Sequence, residues 1–382
     1  MSIKSRNKWA TWTTMAFILV SPLENIYKIE QIYYILAIGV LAFLLLISQK
    51  GASLRNAPNP TKPLLFYMIY ATMSTLWSMN ENALSGMVVF YAVFIFILLQ
   101  SAFYYDEKNL RQIKIGFILQ AVVTIYVCYT HGEVVDNRFW IKSDESGADP
   151  NYLAGWFLIP MSFIGEFFFK KGTKLLYRTV MLIIILNIFY FVMASGSRAG
   201  LATCTICLLS PFLVVLKNNV KRNPFYSVIT IGGLLGTLYL ISNNMSDVMS
   251  SRVEETQSMG ARGIIWNDLM DALYAKPITM IFGYGQYSTT FLNRVHNAAH
   301  NTYLDLLVDT GIIGLLPMLL FIFRGVKAAF KCKEYEFVIL ALSMCTLVFS
   351  LTALTTRFFT SFLFLMAVAQ KQFCNNWGNE KK

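Results

Sequence analysis

His300-Asn301-Thr302-Tyr303-Leu304-Asp305-Leu306-Leu307-Val308-Asp309-Thr310-Gly311-Ile312-Ile313-Gly314 decides how this chain is read. The stretch opens a long apolar segment. Burying an ionisable imidazole in hydrocarbon is costly unless it is paired or hydrated. A His-Asn pair where such a segment leaves water is therefore a site candidate. Ser195-Gly196-Ser197-Arg198 and Gly260-Ala261-Arg262 sharpen it, because charge topology puts all three on one side of a membrane.

The chain of 382 residues is 56% hydrophobic and only 14% charged, with a mean hydropathy of +0.52. A soluble chain carries roughly a quarter charged residues. Apolar runs of about 17 to 25 residues recur from end to end, which predicts an all-α polytopic membrane protein. The net charge of +11 does not point to nucleic acid, because basic cytoplasmic loops alone make such proteins basic. Cys204 and Cys207 form a CxxC inside a span and read as small packing residues, not as a redox or zinc pair.

About twelve spans are expected, near residues 9–22, 30–48, 63–79, 85–104, 112–130, 151–169, 176–194, 198–216, 225–242, 300–323, 335–353 and 358–370. The first follows Lys4, Arg6 and Lys8 and is read as an uncleaved helix. With both termini cytoplasmic, the inner segments hold most of the lysines and arginines. The outer segments hold only Lys28, Arg138, Lys142, Arg198, Arg252, Arg262, Lys276, Arg294 and Arg357. Arginine dominates outside, and its planar fork of donors matches phosphate and carboxylate better than a lysine does. The whole chain, 1–382, reads as one integral membrane domain.

Two outer segments are large. In residues 131–150, Asp149-Pro150-Asn151 reads as a helix cap. Residues 243–299 form the large outer loop before the His-Asn segment. Within it Ile264, Ile265, Trp266, Leu269, Met270 and Leu273 fall on one helical face, with Asp268 and Asp271 opposite. That pattern predicts an amphipathic helix able to lie on the outer leaflet. Gly283-Tyr284-Gly285-Gln286-Tyr287 reads as a flexible turn, and Gly311 and Gly314 as points of close helix contact.

Ser195, Ser197 and the amides of their turn can cradle an anion, with Arg198 as its charge; the alternative is a helix break with one snorkelling arginine. Arg262 opens the amphipathic helix, where N-terminal amides also favour an anion. His300 suits a general base near neutral pH, although a buried structural histidine is the alternative. His296 and His300 are four apart and would share a face on one helix, but no glutamate lies between them, so a zinc site is not expected. No cofactor is expected.

The ensemble resembles the O-antigen ligase and polymerase superfamily of bacterial surface-polysaccharide assembly. The resemblance runs over most of the chain and is strongest from Asp149 to Gly314. It rests on His300-Asn301 followed by Gly311-x-x-Gly314, the serine-rich turn ending in Arg198, Gly260-x-Arg262, Arg357 near the last span, and Asp149-Pro150-Asn151. It implies a metal-independent glycosyltransferase of the bacterial cytoplasmic (inner) membrane, with its active site facing the periplasm or outside. The donor would be an undecaprenyl-pyrophosphate-linked glycan. The acceptor would be a second lipid-linked glycan in a polymerase, or lipid A-core in a ligase. Further implied partners are membrane lipids and a chain-length regulator protein. His300, Arg198 and Arg262 would then be catalytic. Ser195, Ser197, Asn301, Tyr303, Arg357, Asp149 and Asn151 would bind substrate. The Asp-Pro-Asn segment tilts the resemblance towards polymerases. A lipid-linked glycan flippase is a further reading, and it would require polar groups lining a path at mid-span.

Overall fold

The computed structural model describes residues 3–23, 30–47, 61–103, 105–135, 138–141, 150–170, 172–197, 200–208, 260–331 and 363–371. The expected spans 225–242 and 335–353 lie outside them, as do Asp149, Arg198 and Arg357. The helices are α1 (Ile3–Val20), α2 (Glu30–Leu46), α3 (Lys62–Ser74), α4 (Ala83–Ser101), α5 (Glu107–His131), α6 (Pro150–Phe169) and α7 (Leu175–Ala194). They continue with α8 (200–208), α9 (Gly260–Ala275), α10 (Ile278–Phe282), α11 (Thr302–Lys331) and α12 (363–371). Among the described residues, four helices are long and apolar enough to cross a membrane by length and composition: Ala83–Ser101, Glu107–His131, Leu175–Ala194 and Thr302–Ala329. Tyr34–Leu46 and Leu153–Phe169 are shorter apolar helices.

One non-helical element was not expected. Strand β1 (Gly132–Val135) pairs antiparallel with β2 (Arg138–Ile141), with Val135 opposite Arg138 and Gly132 opposite Ile141. Its sequence is rich in strand formers (Val134, Val135, Phe139, Trp140, Ile141), and Asp136-Asn137 stands between the two runs. The hairpin grows directly from the end of α5.

Contacts between helices fix their directions. Phe17 stacks on Phe96 at 4.1 Å, Gln100 Nε2 donates to Thr14 Oγ1 at 2.6 Å, and Arg6 lies 5.7 Å over Phe103. Hence α1 and α4 are antiparallel. Gly116 faces Met15, and Gln120 Nε2 donates to Ser21 Oγ at 2.9 Å, so α5 runs with α1. Lys114 pairs with Glu166 at 2.7 Å, so α6 runs back against α5. Tyr129, at the end of α5, donates to Asn187 at 2.7 Å and packs 4.9 Å from Phe191, so α7 ends beside the end of α5.

The bundle therefore has two unlike ends. One carries Arg6, the Lys114–Glu166 pair and Lys371, whose Nζ donates to the carbonyls of Ser101 and Phe103 at the C-terminus of α4, where a cation is favoured. The other carries the start of α4, the hairpin and the Ser195 turn. The buried polar groups Gln100, Gln120, Thr14 and Ser21 bond helix to helix, which glues the helices together.

Candidate functional site

The His-Asn segment is a built helix entry. Asn301 caps α11, its Oδ1 accepting from the backbone N–H of Tyr303 at 3.1 Å and of Leu304 at 3.3 Å. Asp305 reaches back to accept from Ala299 N at 2.9 Å. Two of the donors that a helix start leaves orphaned, and the amide just before it, are thereby satisfied. His300 sits between these anchors, half-buried, with φ +51°. A non-glycine residue in the left-handed region is uncommon and is held there by its surroundings. The helix begins at Thr302, so His296 and His300 do not share a helical face. His296 is exposed, also left-handed at φ +53°, and its Nδ1 lies 3.3 Å from Thr290 O.

Helix α9 exists where its periodicity placed it, and most of its apolar face packs against protein. Ile265, Leu269 and Leu273 are buried with Ala299 and Val308, and Trp266, Met270, Tyr284, Leu304 and Leu307 pack around them. This small core glues α9 to the entry of α11. Trp266 Nε1 donates to Ala299 O at 2.7 Å, next to His300. Tyr284 Oη donates to Ala272 O at 2.6 Å. Arg262 is exposed on the first turn of α9, four residues before Trp266 and on the same helical face. Asp268 binds Arg294 through both carboxylate oxygens, at 2.7 to 3.1 Å. Those hydrogen bonds hold its carboxyl below the usual carboxylate range and raise Arg294.

The segment read as a flexible turn is fastened. Gly311 breaks α11 with φ +61° and ψ −169°, a conformation essentially reserved for glycine. The break frees carbonyls that a continuous helix would use. Val308 O accepts from Tyr284 N at 2.8 Å, and Asp309 O from Gly285 N at 2.9 Å. Gly283 (φ +75°) and Gly311 face each other so closely that a Cβ on either would lie 2.3 Å from opposing backbone, on Asp309 O and Ile281 O respectively. The Asp309 carboxylate accepts from Tyr287 N, Thr289 N and Thr289 Oγ1 at 2.8 to 2.9 Å. Ser78 donates to Gln286 O at 2.6 Å, and Tyr287 Oη to Gly86 O at 3.0 Å. Burial first, and the Asp309 charge after it, push the Tyr287 phenol up, so it remains a donor. These bonds put the loop 283–300 at the α4 start, the same end of the bundle as the hairpin and the Ser195 turn.

In that turn, Ser195 and Ser197 are buried and their oxygens serve the backbone. Ser195 Oγ donates to Val192 O at 2.7 Å and accepts from Ser197 N at 3.4 Å. Ser197 Oγ accepts from Gly200 N at 3.2 Å, which caps α8. Helix α8 then packs tightly on α6, since a Cβ on Gly200 would meet the Ala154 Cβ at 2.2 Å. Cys204 and Cys207 are buried free thiols in this contact, as packing residues should be. Sequence reasoning missed Arg138. It was counted among the outer cations, yet it is buried, and its Nε donates to Ser195 O at 2.9 Å. The one signal was the strand-forming run around it.

The described residues thus bring His300, Asn301, Tyr303 and the helix of Arg262 together, with Ser195 and Ser197 at the same bundle end. Tyr303 is half-buried and packs on the main core. Asn151 lies in α6, its side chain outside the description; Arg198, Arg357 and Asp149 are outside it altogether.

Comparison with known proteins adds three findings. No curated protein matches the chain. A chain in a solved structure concerned with polymerization and crosslinking by a peptidoglycan synthase complex is similar at 12% identity and a TM-score of 0.45, covering 82% of this chain and 95% of that one. Residues 182–319 match the family model described as O-antigen ligase, a segment that runs from α7 through the Ser195 turn, Arg262 and the His-Asn entry to the break in α11. That match supports, for this chain, the O-antigen ligase and polymerase superfamily.

Proposed function

We propose that the chain is a metal-independent glycosyltransferase of surface-polysaccharide assembly. It polymerises undecaprenyl-pyrophosphate-linked repeat units on the outer face of the cytoplasmic membrane. The observation that carries this reading is the bond from Trp266 Nε1 to Ala299 O. It joins the helix that begins with Gly260-x-Arg262 to the residue before His300, which supports a reading in which an arginine and an imidazole act at one site.

The chemistry follows from the residue types. The acceptor sugar hydroxyl attacks the anomeric carbon of the donor. The new glycosidic C–O bond forms as the bond to the lipid pyrophosphate breaks, and the hydroxyl proton passes to the His300 imidazole as general base. The departing pyrophosphate carries the bonding electrons, and Arg198 and Arg262 offset its charge. Asn301 spends its Oδ1 on the helix cap, so it holds His300 in place, and its amide N–H2 is what it offers to substrate. Asp149, Asn151, Tyr303 and Arg357 complete the substrate site in this reading. The basic end with Arg6, Lys114 and Lys371 faces the cytoplasm, as positive charge favours.

The polymerase reading rests on Asp149-Pro150-Asn151. The ligase reading, with lipid A-core as acceptor, is favoured by the description of the matching family model; its donor chemistry is the same. A deletion strain of the native host complemented with wild type or His300→Ala separates them when surface glycan is resolved by length. Core carrying a single repeat unit in the His300→Ala strain means a polymerase. Core with no repeat unit, with long glycan left on the carrier lipid, means a ligase. A normal glycan ladder from His300→Ala removes His300 from the mechanism.

A further inference from the structure

Both serine oxygens of the Ser195 turn help to fix it, and nearby cations and N–H groups add to what the turn can offer an anion. The hairpin brings such groups. Arg138 is only 9% exposed, and its Nε holds the Ser195 carbonyl at 2.9 Å. A guanidinium carries its N–H donors in a rigid fork, and Nε is the one that holds the turn. Sequence places Arg198 three residues beyond that carbonyl.

Arg138 is not a side chain that happens to lie across the turn. Its strand is clamped. The neighbouring Phe139 ring packs 5.0 Å from Phe191 on α7, and a Cβ on Gly132 would collide with the Phe139 ring at 2.1 Å. Trp140 stands two residues on, on the same face of β2 as Arg138. Its Nε1 is buried, with no hydrogen-bond partner among the described residues. A buried indole N–H without an acceptor is rare in native structures and calls for an explanation. An oxygen-rich ligand meeting it beside Arg138 supplies one.

We infer that the β1–β2 hairpin is an arm of the phosphate-binding site. Arg138 is a positioning residue that sets the Ser195–Ser197 turn and adds charge to it, and Trp140 Nε1 donates directly to a phosphate oxygen. The inference rests on the donor chemistry proposed above and names two residues that chemistry did not use. The ligand is a pyrophosphate group, from a lipid carrier or free in solution.

The test uses the full chain in lipid nanodiscs and two probes, inorganic pyrophosphate and a short polyprenyl pyrophosphate, with Kd measured for each. Trp140→Phe keeps an aromatic ring and removes the N–H together with the rest of the five-membered ring; with folding checked by Tm, it is expected to weaken Kd about tenfold or more, the loss of one bond to a charged group. Arg138→Lys keeps the charge but replaces the planar fork with a single ammonium and is expected to fall between wild type and Arg138→Met. If Trp140→Phe and Arg138→Lys both bind with the wild-type Kd while Arg262→Ala loses the probe, the hairpin arm is wrong and the proposed function stands. If wild type binds neither probe, both fall. Tighter binding of the polyprenyl probe than of inorganic pyrophosphate assigns the arm to the lipid carrier, and equal binding assigns it to pyrophosphate alone; either result supports it.

Discussion

Gly311→Ala tests how the site is held. The native residue has φ +61° and ψ −169°, and forcing an alanine into that region costs about 1–3 kcal/mol. Its Cβ would also lie 2.3 Å from Ile281 O and 2.6 Å from Gly283 N. These are backbone atoms that cannot rotate away, so α10 and the break in α11 must part. Parting strains or breaks the bonds Tyr284 N→Val308 O and Gly285 N→Asp309 O, each worth about 1 kcal/mol net. The total is about 4 kcal/mol, a large share of the roughly 5–15 kcal/mol that holds a typical domain together. Thermal unfolding in nanodiscs, followed by tryptophan fluorescence, is expected to show Tm lowered on the order of 10 °C. Gly283→Ala meets the same contact from the other side and is expected to behave alike. Gly39→Ala is the control, because a Cβ there meets nothing within 4 Å and the helix gains about 1 kcal/mol of propensity. A Gly311→Ala protein melting within about 2 °C of wild type would refute the clamp.

Three more outcomes follow from the geometry. Trp266→Phe keeps an aromatic ring but removes the N–H that bonds Ala299 O with the rest of the five-membered ring; glycan transfer is expected to fall about tenfold, read as initial rate against donor concentration with Tm measured alongside. Asp268 is depressed by Arg294, so the pair's contribution is present above the unfolded pKa of about 3.9 and is lost as pH falls through the lower folded value. The Tm difference between wild type and Asp268→Asn is accordingly flat from about pH 8 to 5 and shrinks below about pH 4. Chelation with EDTA is expected to leave transfer unchanged, measured as product formed with and without chelator.

Much of this was legible in the sequence because the signals were local. Helical membrane character follows from apolar runs. The face of α9 follows from the spacing of Ile265, Leu269 and Leu273, all of which are buried. What covers that face did not follow, since Ala299 and Val308 carry no mark that pairs them with it, and a membrane is an equally good apolar surface. Gly311 read as a contact glycine because a glycine in an apolar span usually is one; its left-handed φ goes with the Tyr284 and Gly285 N–H groups that bond the Val308 and Asp309 carbonyls. Residues 283–287 read as flexible because their fasteners, Ser74, Ser78 and Gly86, lie some 200 residues away in sequence. Ser195 and Ser197 were read as ligands from their type. The same hydroxyls are equally suited to caps, and the structure uses them so. Arg138 had no motif around it, and only its distance to Ser195 O gives it a role.

The central claim is that His300 takes the proton in glycan transfer from a lipid pyrophosphate. The most direct measurement is transfer by purified protein in nanodiscs, supplied with one lipid-pyrophosphate-linked repeat unit, with wild type and His300→Ala compared by product length and by folded Tm. The account predicts a ladder of products and released lipid pyrophosphate from wild type, and neither from a His300→Ala protein that melts like wild type. An equal ladder from His300→Ala would contradict it.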